Sequence, residues 1–229
     1  SIKYDPPHGN GSSPILVDDK LIFNCDGAKD PFVAALNKHT GDVSWKAMRE
    51  KTKASNRFSV STPLLIDEGG RKAVVSPGSG AVFTYNPDNG EEIWRVDYGS
   101  GFSVVPRPVY GHGMVFIATG FGKPSVYAIR VGGNGDVTDT HLVWTSGSGA
   151  PTTPSMLLLG RELYCVSDRG KVSCVDALTG KQYWQEKPGG SVSASPIAAD
   201  GRIYITTEKG TTFVIKAGTE FEMLAENEL

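Results

Sequence analysis

All four tryptophans of this chain occupy one place in a repeating pattern, and that pattern leaves few folds open. An apolar strand, a turn closing on glycine and a tryptophan four residues later recur in Ala35–Trp45 (ALNKHTGDVSW), Thr84–Trp94 (TYNPDNGEEIW) and Cys174–Trp184 (CVDALTGKQYW), with a looser copy ending at Trp144. A second landmark, Ser, Thr or Arg followed by proline, precedes each group of strands: Ser13-Pro14, Thr62-Pro63, Arg107-Pro108, Thr153-Pro154 and Ser195-Pro196. Those prolines lie 42 to 49 residues apart. That period belongs to four-strand propeller units, and the apolar runs between turns are too short for the helices of armadillo-type repeats.

The sequence therefore predicts an all-β chain, a β-propeller of four-stranded antiparallel blades. Five repeats are expected in one domain, at about 9–50, 58–99, 102–147, 149–189 and 191–229. In the fourth repeat the strands read Pro154–Leu159, Glu162–Val166, Val172–Asp176 and Lys181–Gln185, joined by tight turns. Gly41, Gly90 and Gly180 read as structural, because a turn entering a twisted strand needs a positive φ. Trp45, Trp94, Trp144 and Trp184 read as structural too. A large amphipathic ring recurring in four of five repeats suits the seam between blades, with its N–H on a backbone acceptor. Counting back from the Arg169-Gly170 turn makes Cys165 and Cys174 cross-strand neighbours, with Cβ atoms about 4.5–5.5 Å apart; two buried free thiols are expected there.

Composition narrows the function classes. Gly (28) and Pro (14) exceed the roughly 27 residues of average usage, yet 39% apolar residues allow a sizeable core. A net charge of −2 with signs interspersed gives no footprint for nucleic acid or an anionic membrane surface. Apolar stretches such as Met156–Leu159 are far shorter than the roughly 20 residues of a membrane helix, and Ser1–Asn10 has no signal-peptide pattern. Cys25, Cys165 and Cys174 are too few for a disulfide scaffold and leave the redox compartment open; the four histidines show no metal-ligand spacing.

The motif ALxxxTGxxxW, with Ser or Thr before proline ahead of most first strands, resembles the pyrroloquinoline-quinone-like propeller repeat over the whole chain. Gly9–Gly27, Ser76–Trp94, Ser103–Gly120 and Val166–Gly180 look like later blades of secreted propellers of planctomycete-type bacteria. The resemblance implies a periplasmic or extracellular protein whose relatives carry seven or eight blades. It also implies either of two uses: a protein-binding scaffold, or a quinone- and calcium-dependent dehydrogenase. The dehydrogenase branch brings adjacent cysteines over the cofactor, and no two cysteines are adjacent here. Asp26, Asp168 and Glu208 fall at turns, where acidic residues ordinarily serve as turn formers. Ser76–Gly80 imitates a nucleophile elbow but lies between two strands, and Val131–Gly135 lacks the strand-to-helix setting of a phosphate loop. The latter reads as an insertion in the third repeat's outer turn. No catalytic residue, metal site or cofactor is expected; quinone with calcium is the alternative.

Loops joining second to third strands, and one blade to the next, surround one mouth of a propeller's channel. That face is expected to carry Asn24, Asp26, Ser76, Ser79, Thr119, Asp168, Arg169 and Glu208, and to present them to a protein or glycan partner. Arg107 stands where other repeats have Ser or Thr; it could hold a carboxylate or phosphate bidentately, or pair with a neighbouring blade's carbonyls. The chain is expected to be either a five-bladed ring or part of a larger one. An arc would leave Ile15, Val17, Leu21, Phe23, Ile203, Ile205, Phe213 and Ile215 partly uncovered and prone to self-association.

Overall fold

The structure, a computed structural model, describes residues 9, 11–27, 30–49 and 58–228. They form five sheets in chain order, each of four antiparallel strands, the second with a short fifth strand added parallel at its edge. The first is β1 (Ile15–Val17), β2 (Lys20–Cys25), β3 (Phe32–Asn37) and β4 (Val43–Met48); the second is β5 (Leu64–Asp67), β6 (Lys72–Pro77), β7 (Ala81–Tyr85) and β8 (Glu92–Asp97). The third comprises β9 (Val109–Gly111), β10 (Met114–Ala118), β11 (Val126–Arg130) and β13 (Leu142–Ser146), interrupted by β12 (Gly135–Asp136) and one four-residue helix, α1 (Thr138–His141). The fourth is β14 (Leu157–Leu159), β15 (Glu162–Val166), β16 (Val172–Asp176) and β17 (Gln182–Glu186). The fifth is β18 (Ile197–Ala199), β19 (Arg202–Thr206), β20 (Thr211–Lys216) and β21 (Met223–Glu228). Helix is almost absent, as the missing 3.6-residue periodicity requires.

Both faces of the inner sheets are apolar because each packs on a neighbour. Ile15, Val17, Ile22, Val33, Ala35 and Trp45 of the first sheet share a core with Leu65, Val74, Phe83 and Tyr85 of the second. The same arrangement repeats between sheets two and three, three and four, and four and five. In every sheet the pairing of third and fourth strands slips by one residue at the same repeat position: Ala35/Leu36, Phe83/Tyr85, Ala128/Ile129, Cys174/Val175 and Val214/Ile215. Such a bulge bends the outer strand and strengthens its twist, and it sits beside the tryptophan position.

Three features correct the expectations from sequence. The turn after Val166 is not a two-residue hairpin: Ser167 N–H donates to Lys171 O (2.8 Å) and Gly170 has φ +74°, a longer turn closed by a left-handed glycine. Val166 therefore pairs Val172 and Cys165 pairs Ser173, putting Cys165 and Cys174 on opposite faces of the sheet. Each is a buried free thiol, in different cores.

In the fourth repeat the inner strand begins at Leu157, so Ser155-Met156, rather than Thr153-Pro154, holds the place of Ser13-Pro14 and Ser195-Pro196. A chain of hydrogen bonds marks that place. Ser13 N–H donates to Thr62 Oγ1 (3.1 Å), Arg107 N–H to Ser155 Oγ (2.9 Å) and Ser155 N–H to Ser195 Oγ (2.9 Å), each reaching the next sheet's inner strand.

The terminal apolar rows also differ. Ile15 and Val17 pack on the second sheet, and Ile203, Ile205, Phe213 and Ile215 on the fourth. The outward faces instead show Leu16, 59% exposed, and Ile197, 65% exposed. Leu21 and Phe23 do lie on the outward side of the first sheet, the latter beside Cys25, Phe32 and Ala34.

Candidate functional site

Alternation of antiparallel strands brings the second-to-third-strand turns and the inter-sheet linkers to one end of every sheet. Most polar residues expected to face a partner there are instead consumed in holding linker to turn. Asn24 is 4% exposed; its Nδ2 donates to Ser59 O (3.3 Å) and its Oδ1 accepts from Ser12 Oγ (2.7 Å). Ser79 is buried and its hydroxyl donates to Gly101 O (3.3 Å). Thr119 is buried and its Oγ1 accepts from Ser125 N–H (3.0 Å). The Asp168 carboxylate accepts from Thr152 N–H (2.8 Å); burial opposes its ionisation, but the bonds from Thr152 and Thr153 outweigh it and hold the carboxyl below the usual range. Glu208 Oε1, on an exposed residue, accepts from Ser193 Oγ (2.6 Å). Ser76 to Gly80 spans the β6–β7 turn with Ser76 buried, so it has no elbow geometry.

Asp26 departs furthest from the exposed turn former that its position suggested. Its side chain is 2% exposed and accepts from Arg49 Nη1 (2.8 Å). Burial pushes the carboxyl up to about 6, although the Arg49 charge pulls the other way. Arg49 also donates to Ser76 Oγ and lies 5.2 Å above the centre of the Phe83 ring. Asp26 Oδ1, Arg49 Nε and Tyr85 Oη are buried with no hydrogen-bond partner among the described residues. The cluster pins the first linker onto the second sheet, and sequence reading missed Arg49. The available signal was its offset: it lies four residues after Trp45, as Tyr98 lies after Trp94, and Tyr98 Oη donates to Gly78 O in the same region.

Of the residues expected on this face, Arg107, Arg169 and Glu208 remain exposed. Arg107 is exposed on the wall of a cleft of about 570 Å³, otherwise formed chiefly by inner-strand apolar residues including Leu64, Val109, Tyr110 and Leu158. Arg169 lines a second cleft of about 350 Å³ with Lys171 and Lys187, neither of which was among the residues expected on this face. None of these four cations makes an ion pair with a described residue. No group of three His, Cys, Asp or Glu side chains suited to a metal occurs among the described residues. No described helix is long and apolar enough to cross a membrane.

Five four-stranded sheets, each set by an outer-strand bulge and most by an outer-strand tryptophan, define a propeller of the pyrroloquinoline-quinone-like class. The family described as outer membrane protein assembly factor BamB matches residues 5–140 and 134–219, and the chain belongs to it. The chain is 28% identical over 175 residues to outer membrane protein assembly factor BamB of Shewanella oneidensis, covering 70% of this chain and 40% of that protein. It thus spans under half the length of that curated relative. The crystal structure of BamB from Moraxella catarrhalis superimposes with a TM-score of 0.70 at 16% identity, covering 95% of this chain and 64% of that one. Quinohemoprotein alcohol dehydrogenase from Comamonas testosteroni superimposes with a TM-score of 0.72 at 14% identity, covering 96% and 43%. At these identities the structural likenesses concern the fold.

Proposed function

We propose that this chain is a non-catalytic scaffold of the periplasm that holds a protein partner at its loop-lined end, through an acidic segment bearing apolar side chains. The observation that carries the reading is the pair of open clefts with cations that make no ion pair with a described residue, Arg107 in one and Arg169, Lys171 and Lys187 in the other. A guanidinium beside an apolar wall in the first cleft, and three cations among small residues in the second, favour carboxylates flanked by apolar residues. The family's assembly-factor members support a protein rather than a glycan as partner, and they support the periplasm as the place.

A fluorescein-labelled peptide of alternating Leu and Glu provides the test, read by anisotropy. Binding should weaken with salt, and weaken several-fold in Arg107→Ser and in Arg169→Ser/Lys171→Ser, while a Leu/Lys peptide stays unbound. Equal binding by these variants would remove the cleft assignment. Dye reduction on adding pyrroloquinoline quinone, calcium and an alcohol would overturn the non-catalytic reading in favour of a quinone oxidoreductase.

A further inference from the structure

The face of the fourth sheet that looks toward the third breaks two local rules, and both breaks lie beside the same cleft. Ser173 pairs with Cys165, which packs in the core shared with the third sheet, and on its other side with Gln185, so the three share that face. Lys171 and Lys187 lie two residues further along the two strands, on the same face. Val172 pairs with Glu186, and one step on in that register Lys171 stands directly opposite Lys187. Like charges so placed destabilise a sheet. The neighbouring acids do not relieve them: Glu186 belongs to the opposite face with Val172, and the Asp168 carboxylate is taken by Thr152 N–H (2.8 Å).

The second break is in the linker that covers this face. Gln185 Nε2 donates to Ser148 Oγ (3.0 Å), and a Cβ on Gly149 would stand 2.9 Å from Ser173 Oγ and 3.1 Å from Gln185 Nε2. Glycine, here with φ +72°, lets the backbone lie this flat on the sheet. The contact leaves Ser173 Oγ buried with no hydrogen-bond partner among the described residues, which costs stability.

Arg169 is fixed from the other side. A Cβ on Gly170 would collide with Gly190 O, and Val192 N–H donates to Asp168 O (3.0 Å), so the linker to the fifth sheet clamps the turn that carries the guanidinium. Lys171 N–H donates to Ser167 Oγ (3.1 Å) within the same turn. Three cations from separate segments thus surround a cleft of about 350 Å³ whose remaining wall, Gly147, Gly149, Ala150 and Ser167, carries no acid. Local rules broken together at a cost in stability mark a place built for a ligand.

The charge count selects the ligand. A carboxylate answers one cation with two oxygens. A phosphomonoester carries close to two charges near neutral pH and presents three terminal oxygens. Those suffice to bridge the two ammonium groups and to meet the guanidinium, whose planar fork matches phosphate oxygens.

We propose that the second cleft is a binding site for a phosphomonoester, held by Arg169, Lys171 and Lys187. Resting on the same cations as the reading above, the site needs no peptide to fill it. Methyl phosphate added to the whole chain should shift the amides of residues 147–150 and 167–171. Dimethyl phosphate, with a single charge, should bind at least about tenfold more weakly, the worth of one hydrogen bond between charged groups. Lys171→Gln/Lys187→Gln should remove that preference. Lys187→Glu, which sets opposite charges across the strands, should lose methyl phosphate without lowering the melting midpoint. Flotation with phosphatidylcholine vesicles carrying phosphatidic acid separates the sources: retention that methyl phosphate reverses assigns a lipid headgroup, and no retention assigns a soluble ester. Retention that methyl phosphate leaves intact, no shifts at 147–150 and 167–171, equal binding of the two esters, or a fall of more than about 3 °C in Lys187→Glu would overturn the proposal. The Leu/Glu peptide is read separately. Peptide binding without methyl phosphate shifts removes this site and keeps the acidic segment, and shifts without peptide binding do the reverse.

Discussion

At the scale of single residues, the largest contributions come from rings and charges removed from water. Trp184 packs with Tyr164, Cys174 and Ile205 and meets Phe221 edge-on at 5.2 Å between ring centres. Trp184→Ala should cost about 3–5 kcal/mol in denaturant unfolding, as large-to-small aromatic changes in cores do. A loss within about 0.5 kcal/mol would mean the ring is not seated. Arg49→Ala should cost about 3–5 kcal/mol because it strands the Asp26 carboxylate, whereas Asp26→Leu/Arg49→Met, which removes both charges, should come close to neutral. If the two variants unfold alike, desolvated charge is not what holds the linker. Asp176 accepts from Arg161 Nε (2.6 Å), Tyr183 Oη (2.8 Å) and the Thr179 N–H and hydroxyl (2.9 and 3.0 Å). Burial works against its ionisation, but those bonds prevail and depress its pKa. The unfolded state then binds the proton more tightly, so this contribution is complete above the ordinary value of about 4 and disappears as pH falls through the folded one. Unfolding from pH 6 to 2 should therefore show a steeper acid loss in the parent than in Asp176→Asn. Asp26, whose folded value lies above the unfolded one, contributes with the opposite sign: its share is present below about 4 and lost as pH rises through about 6.

At the scale of elements, the inner strands are joined by hydroxyls accepting a neighbour's backbone N–H, and the third sheet breaks the series because Arg107 has no hydroxyl to offer Thr62. Arg107→Ser should restore the link and raise stability by about 0.5–1.5 kcal/mol, the net value of one hydrogen bond, measured by urea unfolding. A fall instead would show that the guanidinium already stabilises the fold. The first four sheets were legible in the sequence because tryptophan recurs at a fixed offset, and the fifth because Ser195-Pro196 repeats the landmark before an inner strand. Register was not. Whether Arg169-Gly170 closes a two-residue or a longer turn changes the count by one, and one residue moves Cys165 to the other face. The inner strand of the fourth sheet was misplaced for a related reason: proline marked the position elsewhere, and here Met156 takes it while Ser155 keeps the hydroxyl. The candidate face was only partly legible. Turn positions follow from strand alternation, but whether a polar side chain there points to solvent or back to a linker depends on contacts between segments far apart in sequence, such as Asp26 with Arg49 or Asp168 with Thr152.

At the scale of the whole molecule, each of the four larger cores is shared by two successive sheets, while the outward faces of the first and fifth sheets leave apolar side chains in water, Leu16 59% exposed on one and Ile197 65% exposed on the other. Where contacts reach only the next unit, stability is close to a sum of unit and interface contributions. Amide exchange should therefore be slowest in β10, β11, β15 and β16 and faster in β2, β3, β19 and β20, read by mass spectrometry. Equal protection across all five sheets would show that they open as one unit. The molecule is in this sense a row of dominoes held at their faces, and it should loosen from its two outer sheets inward.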